Sequence, residues 1–203
     1  MNPFDPKPVT LEFDVGRALR PTVRLVPMGA VHAKALVDAS RSPEVWEHMT
    51  IPLPADEAAM AAWVSEALTA QEAGTQVPFV IEVDGKVAGS TRYLEIRRGD
   101  LRIEIGWTWL APEFWRTAVN TTCKFLLLRH AFEVLGAARV ELKTDVRNTR
   151  SQAAIERIGA KREGVLRGYQ RLWTGRQRDT AMFSIIASEW PAVKAELERR
   201  LGR

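Results

Sequence analysis

Residues 101–110 read Leu101-Arg-Ile-Glu-Ile-Gly-Trp-Thr-Trp-Leu110, and their apolar and polar side chains alternate. Alternation with a period of two is typical of a β-strand that buries one face. The apolar face would comprise Leu101, Ile103, Ile105, Trp107 and Trp109, and the other face Arg102, Glu104, Gly106, Thr108 and Leu110. Glu104 is then a lone carboxylate with two open interpretations. It is either a solvated strand residue or, if a neighbouring element covers it, a carboxylate whose raised pKa suits it to accept a proton.

The segments on both sides of this strand alternate between strand and helix patterns. Upstream, strands are predicted at 22–28, 77–83 and 87–96 and helices at 30–40 and 56–74. Downstream, helices are predicted from 116 or 117 to 135, at 149–158 and from 189, with strands at 139–146, 164–172 and 178–186. This order predicts a single α/β domain, with a mixed, mostly antiparallel sheet of about seven strands and helices on both faces. The domain would span residues 22–203, after a Pro- and charge-rich arm at 1–21 with one short strand at 9–13.

The composition excludes several classes of protein. Hydrophobic residues make up 46% and charged residues 27% of the chain, which is typical of globular proteins. No apolar run approaches the roughly 18 residues of a membrane span, and the first residues do not resemble a secretory signal. The single cysteine, Cys123, excludes an intrachain disulfide, and His32, His48 and His130 lack metal-ligand spacing, so no metal is expected. A cytoplasmic location is therefore expected.

The charge is unevenly distributed along the chain. Residues 1–100 contain 10 Lys and Arg against 14 Asp and Glu, whereas residues 101–203 contain 19 against 11. The second half should therefore face an anionic partner, and both nucleic acid and a phosphorylated cofactor satisfy this condition.

Two junctions between a strand and a helix are candidate ligand sites. The first, residues 109–122, leads into a long helix whose N-terminal N–H groups suit a pyrophosphate, with Arg116 adding a charge and Thr117, Thr121 and Thr122 adding hydroxyls. The second is Asn148-Thr-Arg-Ser151, which offers an amide and a hydroxyl. The alternative at each junction is an ordinary capped helix. No P-loop, nucleophile-elbow or dinucleotide-binding glycine motif is present, which argues against phosphotransfer, α/β-hydrolase chemistry and dinucleotide binding.

In combination and in this order, these segments resemble the GCN5-related N-acetyltransferase (GNAT) family, and within it the ribosomal-protein N-terminal acetyltransferases of the RimJ/RimL type. The resemblance covers about residues 22–190. It is strongest in Glu104-Ile-Gly-Trp-Thr-Trp-Leu-Ala-Pro112 and in residues 139–167. The latter block contains Asn148-x-x-Ser151 and Gly159-Ala-x-x-Glu-Gly164, and Arg178-Asp179 follows it.

The resemblance implies that acetyl-CoA binds as co-substrate, without a metal, in a cleft where the strand of Glu104 splays from the strand of Glu141. It implies that Glu104 accepts the amine's proton, directly or through water, and that backbone N–H groups of the same strand hold the thioester oxyanion. The implied co-substrate contacts are Thr108, Trp109 and Leu110 for the pantetheine arm, Arg116, Thr117, Ala118, Val119, Asn120, Thr121 and Thr122 for the pyrophosphate, and Asn148 and Ser151 near the pantetheine and sulfur.

Two positions depart from the family's pattern. The family's phosphate loop reads Gln/Arg-x-x-Gly-x-Gly/Ala, and here Glu113, Arg116 and Ala118 occupy the key positions, so Arg116 replaces a glycine. Either Arg116 pairs with phosphate itself, or binding of the co-substrate is weakened or altered. The tyrosine that many members use to protonate the leaving thiolate falls at Ile155, which leaves Ser151 as the remaining candidate.

The leading interpretation is an acetyl-CoA-dependent N-acetyltransferase in which a primary amine attacks directly in a ternary complex. The amine would belong to the N-terminus of a ribosomal or other protein, or to a small molecule; the acidic first half favours a cationic acceptor, and a homodimer stays open. The alternative is a non-catalytic acyl-CoA-binding or interaction module, which the altered phosphate loop motivates. Neither a membrane nor nucleic acid is expected as a partner, because the arginines of the second half are scattered rather than in one run.

Overall fold

A computed structural model describes residues 4–13 and 21–202. Its strands are β1 (Leu11–Phe13), β2 (Val23–Pro27), β3 (Val77–Val83), β4 (Lys86–Arg97), β5 (Arg102–Leu110), β6 (Arg139–Asp145), β7 (Lys161–Arg171) and β8 (Gln177–Ile186). Its helices are α1 (Ala33–Ala39), α2 (Glu57–Glu72), α3 (Val119–Arg129, extended by a π-helical turn over His130–Val134), α4 (Thr149–Arg157) and α5 (Trp190–Arg200). None of the helices in these ranges is long and apolar enough to cross a bilayer.

The strands form one eight-stranded sheet in the order β1-β2-β3-β4-β5-β6-β8-β7. Its neighbouring strands run antiparallel except for β5 and β6, which are parallel and are joined by the crossover helix α3. The fold class predicted from the sequence is confirmed, with eight strands instead of about seven. The additional strand is β1, a part of the predicted arm, which pairs with β2.

Caps and turns fix several elements where the sequence predicts them. Asp56 Oδ1 accepts a hydrogen bond from the Ala59 N–H at 2.8 Å and so begins α2. The turn between β3 and β4 holds Asp84 and Gly85 at φ values of 50° and 78°, which suits a tight hairpin. Helix α3 begins at Val119 rather than at 116 or 117, because a turn at Pro112–Phe114 and a left-handed residue, Arg116, precede it.

Two apolar layers cover the two faces of the sheet. The first lies against α3 and α5 and includes Ile103, Ile105, Phe125, Leu127, Phe183 and Leu197. The second lies against α1 and α2 and includes Leu36, Trp46, Met60, Trp63, Val80 and Trp109. We refer to these sides of the sheet as the α3 face and the α2 face.

The faces predicted for β5 are wrong beyond Gly106. Ile103 and Ile105 pack in the α3-face layer as expected, but Trp107 and Trp109 pack in the α2-face layer. The pairing with β4 advances by two residues in β4 but by three in β5, and Trp107 has a φ of 50°. This β-bulge inserts one extra residue into β5, and a one-residue shift sends every later side chain to the opposite face. Glu104 and the two tryptophans therefore share the α2 face.

Candidate active site

A gap opens in the sheet between β5 and β6. Their parallel pairing consists of three residue pairs, Arg102↔Arg139, Ile103↔Val140 and Glu104↔Glu141. Beyond Glu104 both strands continue, β5 to Leu110 and β6 to Asp145, without pairing to each other. The backbone groups of β5 that face β6 are therefore available to another molecule, in the place where the sequence resemblance implies a splayed cleft.

Glu104 lies at the point where this gap begins. Its side chain is 3% exposed, and its Oε2 atom lies 2.8 Å from Lys143 Nζ on β6. Burial raises the pKa of Glu104 above its ordinary value, although the Lys143 ammonium acts in the opposite direction. A Cβ atom at Gly106 would lie 2.8 Å from Glu104 Oε1, so the glycine makes room for the carboxylate. Of the two interpretations of Glu104, the structure supports the buried one.

Charged side chains that the sequence did not single out lie on the α2 face of β6. Asp145 is fully buried and accepts hydrogen bonds from Arg176 and from the Arg147 backbone N–H. Burial works to raise the pKa of Asp145, but these hydrogen bonds outweigh it and hold the pKa below its ordinary value. His48 Nδ1 lies 3.7 Å from Asp145 Oδ2. No sequence pattern could have paired His48 with Asp145, because they are far apart in the chain and have no characteristic spacing.

The predicted phosphate loop connects β5 to α3. Trp115 Nε1 donates to the Leu110 carbonyl oxygen at 2.8 Å, and the guanidinium of Arg150 on α4 lies 3.9 Å from the centre of the Trp115 ring. Arg116 is exposed and has a φ of 60°, the left-handed conformation that favours glycine. The loop thus keeps a glycine-type backbone at the position where the family has glycine, and it carries a guanidinium there.

The first turn of α3 leaves donors open. The Thr117 hydroxyl accepts from the Val119 N–H at 3.3 Å, and the Thr122 N–H donates to the Ala118 carbonyl oxygen at 2.9 Å. The N–H groups of Asn120 and Thr121 donate to no atom of the described residues. Unpaired N–H groups at a helix N-terminus, beside an exposed arginine, suit a phosphate group.

The second predicted junction is a capped helix start in the structure. Asn148 Oδ1 accepts from the Ser151 N–H at 2.9 Å, as predicted for the start of α4. Ile155 is buried in the α3-face layer, so neither its chemistry nor its position supplies a proton to a thiolate. Ser151 is half-buried beside the cap. Within residues 4–13 and 21–202, no group of three or more His, Cys, Asp or Glu side chains could hold a metal ion.

Comparisons with known proteins agree with this architecture. A GCN5-related N-acetyltransferase from Brucella melitensis superposes with a TM-score of 0.87 at 31% identity, over 98% of this chain and 87% of that chain. RimJ of Mycobacterium smegmatis, solved in complex with CoA-disulfide, superposes with a TM-score of 0.81 at 25% identity, over 97% of this chain and 96% of that chain.

One relative by sequence similarity is YdaF of Bacillus subtilis, which is provisionally named a ribosomal N-acetyltransferase. It is 32% identical over 111 residues, 55% of this chain and 60% of YdaF. The match thus spans about 60% of the length of that relative. The model of the acetyltransferase (GNAT) domain matches residues 22–161. The chain belongs to the GNAT acetyltransferase domain family.

Proposed function

We propose that this protein is an acetyl-CoA-dependent N-acetyltransferase that acts on a primary amine by direct attack in a ternary complex. One observation carries the proposal: the sheet separates between β5 and β6 immediately beyond the buried carboxylate of Glu104. The separation provides unpaired strand groups for an extended ligand, and Glu104 provides a base at its inner end.

The open donors define how acetyl-CoA would be held. The pyrophosphate would meet the free N–H groups of Asn120 and Thr121 and the guanidinium of Arg116. The pantetheine arm would follow the open edge of β5 past Thr108, Trp109 and Leu110 towards Glu104. The side chains of Trp109 and Leu110 are buried in the two core layers, so these residues would offer backbone groups.

Glu104 would take the proton of the amine. An amine must be neutral to attack a thioester, so a base with a raised pKa, in a site with little water, serves this step. Burial shifts the pKa of Glu104 in that direction. Backbone N–H groups of β5 around the bulge would stabilise the oxyanion that develops on the thioester carbonyl.

The acceptor would approach from the α2 face. Lys143, Arg176 and His48 line that side and would contact it, while the buried Asp145 would hold Arg176 and His48 in place. The name of YdaF supports a ribosomal acceptor, and the sequence resemblance to the RimJ/RimL type implies a protein N-terminal amine; a small-molecule amine is the other candidate.

Binding and turnover assays test the proposal. Acetyl-CoA and CoA should raise the melting temperature, because they bind the folded cleft and not the unfolded chain, whereas NAD and ATP should not. Turnover is then measured with acetyl-CoA against a panel of N-terminal peptides and small amines. Absence of a thermal shift at millimolar acetyl-CoA would contradict the proposal. Binding without turnover across the panel would favour a non-catalytic acyl-CoA-binding module.

A further inference from the structure

Helix α3 carries a lysine inside the protein, directly beneath the β5 bulge. Lys124 is 6% exposed, and its Nζ donates to Thr108 Oγ1 at 2.5 Å. Among residues 4–13 and 21–202, no carboxylate forms an ion pair with this ammonium, although the charge of Glu104 acts on it from a longer distance. A buried lysine without a counter-ion is costly, so its place beside the cleft calls for a role.

Two short contacts of Thr108 Oγ1 occupy its lone pairs and leave its own proton in a weak hydrogen bond. Thr108 Oγ1 accepts from Lys124 and lies 2.7 Å from Thr91 Oγ1, which can donate to it. With both lone pairs occupied, the Thr108 hydroxyl directs its own proton to the Gly106 carbonyl oxygen at 3.5 Å, a long and weak contact that a nearer acceptor beside β5 can replace. Thr91 is fully buried, whereas Thr108 is only half-buried. Of the two threonines, Thr108 is therefore the one with exposed surface, and it lies on β5, the strand that borders the gap.

We propose that Lys124, through the Thr108 hydroxyl, delivers the proton that the departing CoA thiolate requires. This inference rests on the proposed N-acetyl transfer and names a proton donor other than Ser151 for the step in which Ile155 has no proton to give. Lys124 would act through Thr108 and is thus a relay residue, not a contact of the substrate.

The proton balance of the step closes. The amine nitrogen forms a bond to the thioester carbon, the carbon–sulfur bond breaks, and its electron pair passes to sulfur. Sulfur takes the Thr108 hydroxyl proton while Lys124 replaces it. The two protons lost by the ammonium form of the amine leave through Glu104 to solvent, and neutral Lys124 regains one from water.

The chemistry of the donor matches this task. Burial lowers the pKa of Lys124 to about 8. An amine and a thiol exchange a proton readily when their pKa values are close, and thiols have pKa values near 8.5. The neighbouring Cys123 does not compete, because burial raises its pKa to about 12.

A titration of bound CoA tests the relay without an acceptor amine. The thiolate absorbs in the ultraviolet, and its appearance with pH gives the pKa of the bound thiol. An ammonium linked to the sulfur should lower that pKa in the wild type, and Lys124→Met should return it to the value of free CoA or above. Lys124→Arg retains the charge and should keep the pKa low. Ser90→Ala is the matched control, since it removes a buried hydroxyl of β4 that has no hydrogen-bond partner among the described residues, and it should leave the pKa unchanged.

The choice of acetyl donor supplies the second measurement. An acetyl thioester of an aromatic thiol releases a stable thiolate, which leaves without protonation. Lys124→Met and Thr108→Val should therefore lower turnover by about 10²-fold with acetyl-CoA, but far less with the aromatic thioester. Equal losses with both donors, or an unchanged thiol pKa in Lys124→Met, would overturn the relay while leaving acetyl transfer intact. Failure of the wild type to bind CoA would overturn both.

Discussion

Glu104 forms an ion pair with Lys143, and substituting each partner in turn separates the role of the carboxylate from that of the ammonium. Glu104→Gln should lower turnover by roughly 10²-fold, the usual contribution of a general base, and should barely change the affinity for acetyl-CoA. Steady-state kinetics and calorimetric titration with acetyl-CoA measure the two quantities. Near-normal turnover of Glu104→Gln at every pH would remove the base from the mechanism.

Lys143→Gln is the matched variant, because it breaks the same ion pair and keeps the carboxylate. Lys143 lowers the pKa of Glu104, so its removal should raise that pKa further. A base works when deprotonated, and the rise of turnover with pH should therefore move to higher pH in Lys143→Gln. A loss of turnover that is the same at all pH values would instead indicate that the pair is structural.

Arg116 combines a strained backbone with a charged side chain, and two substitutions separate them. Arg116→Ala keeps a side chain at a φ of 60° but removes the guanidinium, and should weaken acetyl-CoA binding by about 1–3 kcal/mol. Arg116→Gly should also stabilise the free protein by about 1 kcal/mol, because glycine adopts this conformation without strain. The binding loss should shrink for acetyl-pantetheine, which lacks the phosphates. Tighter binding by Arg116→Gly would show that the side chain blocks the cleft.

For individual residues, the sequence identified candidates better than it predicted their contacts. Glu104 stands out because it is a carboxylate within an alternating strand, and Asn148 because it precedes a helix. Lys143, His48 and Lys124 carry no such signal. Their contacts depend on which strands and helices lie side by side. The spacing of side chains along a single strand or helix does not predict those contacts.

At the scale of elements, the β5 bulge depends on a close approach between β4 and β5. A Cβ atom at Gly89 would lie 2.1 Å from the Trp109 carbonyl oxygen, so Gly89→Ala would push the two strands apart. The substitution should lower the free energy of unfolding by about 1–3 kcal/mol or more, the usual effect of overpacking. Denaturant unfolding measures it. Gly164→Ala in β7 is the matched control, because a Cβ atom there meets nothing within 4 Å. Equal stability of the two variants would contradict the argument.

The bulge is also the element that the sequence did not reveal. The apolar alternation of residues 101–110 continues without interruption, and the position of the extra residue is a tryptophan with a φ of 50°, which nothing in its chemistry suggests. The helices, by contrast, are marked by residues with local effects, such as Asp56 at the start of α2. Capping residues predict where helices begin. Packing against the two apolar layers determines on which face of the sheet each side chain of β5 lies.

At the scale of the whole molecule, the succession of strands and helices was sufficient to predict the fold class. The pairing of β5 with β6 was not predictable from periodicity, since the two strands are separated by a long helix and pair over three residues. The family resemblance, rather than the spacing of residues, supplied the expectation of a cleft there.

The short β5–β6 ladder also affects how the protein behaves in storage. Most sheets expose unpaired backbone N–H and C=O groups only along their two outer edge strands. This sheet has an additional, internal edge along β5, where β5 no longer pairs with β6. An unpaired strand edge of this kind can pair with a strand of another chain and start aggregation. A co-substrate lying along β5 would cover it, so preparations kept with CoA should stay monodisperse longer than preparations stripped of it.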